Sequence, residues 1–395
     1  MRIAFVSHSH RKVGGTEVYL DSILPALSRA GHSVAWLYEK DLALSHDPIF
    51  TSEPGSAWSA SELGLTKSLR MLEQWKPDVI YAHGVSDPEL EVAVIAVAPS
   101  VLYLHNYYGT CISGDKLHST ANPTVCERRF GAACLPRYFP QHCGGRNPLT
   151  MWSQFRLQSR RLELMRHYRV LIANSKHMVR ELARHDLEAQ CVYPFTAGDV
   201  ETQVSQPAFE SGVLRLVFAG RMSSLKGGNY LLDAAPVAQR LICRKLHLTL
   251  AGDGPDRPDW ERKATQLTSD TLTFEFTGWL SSADLRSVIA RSHLHVLPSI
   301  WPEPFGLSGL EAGLLGVPSV AFAVGGIPEW LSEGVNGHLA PLPVTVEGLA
   351  AAIAKVFMDA EHYARVRAGA CREARRYQMA DHIARLIAIF ERCRA

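Results

Sequence analysis

Two carboxylates and two cations occupy positions where ligand chemistry is the simplest reason for them. Glu303 lies between Pro302 and Pro304, in a loop where no helix can use its charge. Glu311 follows eight positions later on a helical pattern from Leu307 to Leu315. Ser308 and Glu311 also fit an S-x-x-E capping box, so a purely structural role for Glu311 stays open. Upstream, the loop Gly220 to Gly228 carries Arg221, a bidentate fork, and Lys226, a point charge, on a glycine turn. A carboxylate in a rigid loop beside a helix start, whose unpaired N–H groups favour anions, suits recognition of hydroxyls next to a phosphate. The two cations suit a diphosphate; their alternative is a pair of solvated surface charges. His83 follows DVIYA and His105 follows VLYL, so both sit at the carboxyl ends of short apolar runs. Asn174 stands likewise after VLIA, as a substrate contact or a helix N-cap.

These side chains need strands to hold them. Apolar runs of strand length occur at Arg2–Val6, Ser33–Leu37, Asp78–Tyr81, Val101–Leu104, Val170–Ile172 and Gln190–Val192, and again at Leu214–Ala219, Leu246–Ala251, Leu272–Phe276 and His293–Leu297. Helical patterns separate many of them, including one to about Arg29, one over Ser59–Trp75 and one over Asn229–Leu241. Alternation of this kind predicts parallel sheets with helices on both faces, and ligands at the carboxyl edges of the strands. Residues 194–212, rich in Pro, Ser, Gly and acids, read as a linker. The fold expected is therefore α/β, two doubly wound Rossmann-like domains facing a central cleft. The first would span residues 1–195 and the second residues 196–379. After Glu311, PSVAF reads as a buried strand, Gly325-Gly326 as a turn, and Pro328 as the start of a new helix.

With these residues in view, a resemblance becomes specific. Glu303-Pro-Phe-Gly with Glu311 resembles the E-x7-E signature of retaining glycosyltransferases of family 4, which have the two-domain GT-B fold. The run Gly325 to Glu329, GGIPE, is similar to the same family, and Arg221 with Lys226 matches its diphosphate motif. Val13-Gly14-Gly15-Thr16-Glu17 resembles its N-terminal glycine loop. The resemblance implies transfer of a sugar, with retention, from a nucleotide-diphosphate sugar (a UDP-sugar expected first) to a hydroxyl of a glycan or lipid-linked acceptor. It implies that Arg221 and Lys226 hold the diphosphate, that Gly14 and Gly15 approach the phosphates, and that Gly278 and Trp279 lie by the base. Glu303 and the N–H groups around Phe305, Gly306 and Leu307 would hold sugar hydroxyls, Glu311 the ribose, and His105 the sugar near its reacting carbon. His83 and Asn174 are the acceptor-side candidates. The helix from about Ala380 to Arg394 would pack back on the first domain. One departure stands out: where relatives carry P-N-G-V-D, this chain has Pro194-Phe-Thr-Ala-Gly198-Asp199. The other readings are a GT-B epimerase or glycan phosphorylase, or an inactive nucleotide-sugar-binding subunit.

Composition sets the remaining bounds. The chain has 395 residues, 47% hydrophobic and 20% charged, with net charge +2, an ordinary globular balance that leaves overall charge silent about partners. No G-x-G-x-x-G occurs, against a nicotinamide dehydrogenase, and no D-x-D, so catalysis is expected to need no metal cofactor. Between Lys116 and Arg184 stand 13 lysines and arginines against 3 acids, many on or beside a helix at 151–169. That face suits a solvated surface or an anionic lipid headgroup, and no aromatic-interleaved motif points to nucleic acid. The N-terminus has no signal-peptide pattern and no 18-residue apolar run exists. A cytoplasmic protein, peripheral at the inner face of the membrane, is expected. Residues 106–147 form a long insertion with Cys111, Cys126, Cys134 and Cys143, whose spacing is not C-x2-C. Structural zinc, disulfides and independent thiols all remain open for it.

Overall fold

The computed structural model describes residues 1–11, 15–40, 57–196, 207–210 and 212–394. Gly14 and most of the expected linker lie outside the described residues. The chain divides into two compact units. The first comprises Met1–Asp115, Glu127–Tyr193 and Met379–Ala395; the second comprises Lys116–Cys126 and Pro194–Gln378.

The strands are β1 (Arg2–Ser7), β2 (Ser33–Tyr38), β3 (Ala57–Ser59), β4 (Val79–Ala82), β5 (Ser100–Leu104), the hairpin β6 (Leu117–His118) and β7 (Thr124–Val125), β8 (Val170–Ala173) and β9 (Gln190–Cys191). Seven of these form one sheet in the order β3-β2-β1-β4-β5-β8-β9, with every pairing parallel. Both faces are covered, which is why β4, β5 and β8 read as unbroken apolar runs rather than alternating ones. The helix Gly15–Arg29 lays Leu20, Ile23, Leu24 and Leu27 onto this core. The helix Met379–Arg394 adds Leu386, Ile389 and Phe390. Each such side chain, fully buried, contributes about 1.5–3 kcal/mol.

The second unit contains β10 (Val213–Ala219), β11 (Lys245–Ala251), β12 (Leu272–Gly278), β13 (Leu294–Leu297), β14 (Ser319–Phe322) and β15 (Gly337–Ala340). Their order is β12-β11-β10-β13-β14-β15, again all parallel. Parallel order reverses beside the first strand of each unit, so β1 and β4 in one, and β10 and β13 in the other, flank a topological switch point where ligands bind.

Three expectations are corrected. The pattern at Ser59–Trp75 is broken: β3 ends at Ser59, a short helix runs Ala60–Leu63, and a second runs Leu65–Trp75. Gly64 between them sits at φ +77°, which no continuous helix accommodates. Pro328 opens only a single 3-10 turn, Ile327–Glu329. The insertion 106–147 is divided, because its hairpin belongs to the second unit. Among the described residues no helix is long and apolar enough to cross a membrane.

Candidate active site

Glu303 follows β13 and is buried. Its Oε1 accepts from Lys226 Nζ at 2.6 Å and from Ser299 Oγ at 2.5 Å. The Lys226 ammonium also lies 5.4 Å from the centre of the Trp301 ring. Two stretches 77 positions apart are thus joined by a charge pair. The backbone enforces the meeting: Ile300 N–H donates to Leu225 O at 3.0 Å, tying the loop before Glu303 to the turn that carries Lys226. At Gly227, φ is +69° and an added Cβ would lie 1.8 Å from Pro298 O, so only glycine lets the two loops close.

The glycine pair after β14 seals the other side. Gly326 N–H donates to Glu303 O at 2.8 Å, and Trp330 Nε1–H donates to Phe305 O at 2.7 Å. Gly325 sits at φ +63°, with room for no Cβ: one would meet Glu303 O at 2.1 Å and Glu303 N at 2.6 Å. Gly325→Ala is therefore expected to displace the Glu303 backbone and cost about 2–4 kcal/mol. The check is a lower urea midpoint at unchanged m-value, together with weakened nucleotide-sugar binding; an unchanged midpoint would show that the loop yields without strain.

Glu311 lies on the helix Leu307–Leu314. The capping-box explanation for it fails, because the N-cap is Gly306, which has no side-chain cap, and Ser308 is already inside the helix. Burial pushes the Glu311 carboxyl above its ordinary range, partly offset by Arg286. A carboxylate held at that cost with no capping duty has the profile of a binding group. Arg221 is exposed on the turn after β10, at the carboxyl edge of the sheet. Gly278, at φ +72°, accepts from Gly252 N–H at 2.9 Å, and Trp279 beside it is exposed.

In the first unit the first residue after each central strand is polar. Along the sheet these are Glu39, His8, His83, His105 and Asn174, after β2, β1, β4, β5 and β8. His83 Nδ1 and His105 Nε2 share a hydrogen bond at 3.0 Å. Burial pushes the His105 imidazole down to about 3, aided by His382, and pushes His83 well below its ordinary value. Both rings are therefore neutral, one donating and one accepting. His83 Nε2 and Asn174 Oδ1 are buried and have no hydrogen-bond partner among the described residues. The N-cap alternative for Asn174 falls to its neighbour: Ser175 caps the helix Lys176–Ala183 by accepting from Met178 N–H at 3.1 Å. Buried polar atoms without partners are costly. Gly15 begins the helix Gly15–Arg29.

Residues 13–194 match the family described as Glycosyltransferase Family 4, and residues 214–359 match the one described as Glycosyl transferases group 1. The chain belongs to the family 4, group 1 type of glycosyltransferases. A glycogen synthase of Mycobacterium tuberculosis is 27% identical over 91% of this chain and 86% of its own length. An alpha-maltose-1-phosphate synthase of the same organism is 28% identical over 45% of each chain. A crystal structure of Anabaena Alr3699/HepE in complex with UDP and glucose superposes with a TM-score of 0.68, covering 99% of each chain at 20% identity. The glycosyltransferase thus has two Rossmann-like parallel-sheet domains of the GT-B kind.

Some features of this glycosyltransferase were not legible from spacing. Ser299 holds Glu303, yet nothing in its neighbourhood marks it. His382, on the helix Met379–Arg394, joins the first unit's interior: Tyr81 and Tyr19 hydroxyls meet at 2.8 Å, and Tyr19 meets His382 Nε2 at 2.7 Å. His382 Nδ1–H donates to Tyr193 O at 2.7 Å, so its Nε2 must accept from Tyr19. The four cysteines of the insertion are not gathered. Cys134 and Cys143 pack as apolar groups against Ile112, Phe130 and Tyr138, while Cys126 belongs to the second unit. No group of three or more His, Cys, Asp or Glu side chains suited to a metal ion occurs among the described residues.

Proposed function

We propose that this glycosyltransferase moves a sugar from a UDP-sugar to a hydroxyl of a glycan or glycolipid acceptor, with retention at the anomeric carbon. The observation that carries the reading is the Lys226–Glu303–Ser299 cluster, built by two loops that interlock through backbone contacts. Arg221 and Lys226 neutralise the diphosphate as it leaves, the largest electrostatic demand of the reaction. Glu303, with N–H groups at Phe305, Gly306 and Leu307, takes sugar hydroxyls, and Glu311 takes the ribose. His105 is neutral and meets the sugar near its reacting carbon without adding charge. His83 and Asn174 are the acceptor-side residues of this reading. Two cations do the work of charge neutralisation, so the reaction needs no metal cofactor. A structural neighbour crystallised with UDP and glucose supports uracil as the first base to try.

The test is a thermal-shift and turnover panel of UDP-, GDP-, ADP- and dTDP-sugars in EDTA, on wild type and Lys226→Ala. One donor that stabilises and is hydrolysed only by wild type supports the reading; equal responses from both proteins refute it. The product's anomeric configuration, by proton NMR, decides retention.

Association with an anionic membrane surface forms part of the proposal. The helix Pro148–Leu164 exposes Leu149 and Trp152 three residues apart, with exposed Arg146 and Arg156 close by in sequence. Arg161 is not part of that face: it is buried, its guanidinium 4.5 Å from the Tyr108 ring centre, and it donates to Val85 O at 3.3 Å. Leu149→Ala with Trp152→Ala is expected to lower sedimentation with phosphatidylglycerol vesicles about tenfold. Equal binding to phosphatidylcholine vesicles, or no loss in the variant, would rule this face out.

A further inference from the structure

Resting on the transferase reading, we propose that His8 and Glu39 form the subsite that receives the acceptor's hydroxyl, and that the acceptor is a sugar. His8 directly follows β1 and Glu39 directly follows β2. His8 Nδ1 lies 2.7 Å from Glu39 Oε2 and 2.7 Å from Ser86 Oγ. The carboxylate is fixed from a second side, since Ser86 N–H donates to the same Oε2 at 2.7 Å. A carboxylate only accepts, so Nδ1 carries the proton. The ring's other nitrogen, Nε2, has no hydrogen-bond partner among the described residues.

The backbone around the pair is equally set. Glu39 N–H donates to Ser7 O at 3.0 Å, Lys40 N–H to His8 O at 3.2 Å, and Ser61 N–H to Glu39 O at 2.9 Å. Burial alone would push the Glu39 carboxyl up, but the His8 ring and the Ser86 N–H hold it below its ordinary value. It is thus a settled anion that orients an imidazole.

A structural staple accounts poorly for this arrangement. Partly exposed charge pairs add little stability, and the side chains here are 32% and 16% exposed. What the geometry provides instead is a ring nitrogen of fixed orientation at the carboxyl edge of the sheet. It stands one strand from His83. An oriented ring nitrogen beside a fixed carboxylate recognises a sugar hydroxyl.

The experiment uses the UDP-sugar that the wild type hydrolyses, with p-nitrophenyl α- and β-glycosides of glucose, galactose, mannose and N-acetylglucosamine as acceptors. His8→Asn keeps an N–H for Glu39 and removes only the outward nitrogen. The expected result is a fall of about tenfold or more in the ratio of transfer to donor hydrolysis, with a raised KM for the glycoside and an unchanged melting temperature. Ser86→Ala, which loses only the hydroxyl, shifts the ratio the same way by less. An unchanged ratio in His8→Asn overturns the proposal. Hydrolysis without transfer to any glycoside overturns a sugar hydroxyl as the ligand. Turnover of no nucleotide-sugar at all overturns the transferase reading, and this inference with it.

Discussion

Lys226→Ala is expected to reduce turnover of the nucleotide-sugar by about 10²–10³-fold and to destabilise the second unit as well. The first effect follows from removing a cation aimed at charge that develops on the leaving diphosphate. The second follows from Glu303, which is buried and relies on Lys226 and Ser299. Removing one partner of a buried pair leaves an uncompensated charge, at a cost of about 3–5 kcal/mol, although the intact pair is worth far less than that. Because the Lys226 side chain is 25% exposed, water will relieve part of that cost. A double-mutant cycle separates the two effects. Glu303→Gln added to Lys226→Ala is expected to recover stability and not turnover. Urea midpoints and kcat measured on all four proteins check it. Additive losses of stability would mean that the pair is not coupled.

Acid is expected to unfold the first unit well before its carboxylates titrate. His83, His105 and His382 are buried and neutral, with His105 pushed down to about 3 and His382 to about 4. Unfolded histidines titrate near 6.5, so below that value the unfolded chain binds protons that the folded one refuses. Their contribution to stability is complete above about pH 6.5 and is lost as pH falls towards the folded values. Each contributes a slope approaching about 1.4 kcal/mol per pH unit, so the three together remove about 4 kcal/mol per unit. A domain with typical stability of about 5–15 kcal/mol does not survive two or three such units. The second unit also holds histidines that burial pushes down, His295 to about 4 and His293 and His362 below their ordinary value, so it too is expected to lose stability as pH falls. Calorimetry from pH 7.5 to 4.5 tests this, and His382→Gln removes about one third of the slope. A melting temperature independent of pH across that range would show that the three rings accept protons while folded.

The sheets were legible in the sequence because burial on both faces leaves apolar runs that local reading detects. Glu303 was legible for a related reason: a charge between two prolines has no local use. What escaped was joined over distance. His8 meets Glu39 across 31 positions and Ser86 across 78, and Tyr19 meets His382 across 363. No spacing rule links such residues, because the parallel sheet brings them together only after helices intervene. Local rules also misled where a side chain had a choice. Ser308 with Glu311 fits a capping box, yet the helix begins one residue earlier, at Leu307. Asn174 fits an N-cap, yet Ser175 takes that duty. The stretch Ser59–Trp75 has helical periodicity throughout, and a single glycine conformation divides it.

The helix Met379–Arg394 bears on how the protein is made. It completes the interior of a unit whose first strand is Arg2–Ser7, and it supplies the ring that Tyr19 needs. A ribosome releases that helix only after the whole second unit has been synthesised. Until then the Tyr19 hydroxyl has no His382, and the surface that Leu386, Ile389 and Phe390 will cover stays wet. The earlier-born unit is thus the later one to finish, and nascent chains must be protected from premature association over nearly their full length. A ribosome-stalled chain ending before Met379 should accordingly be cut by protease in the first unit while the second already resists.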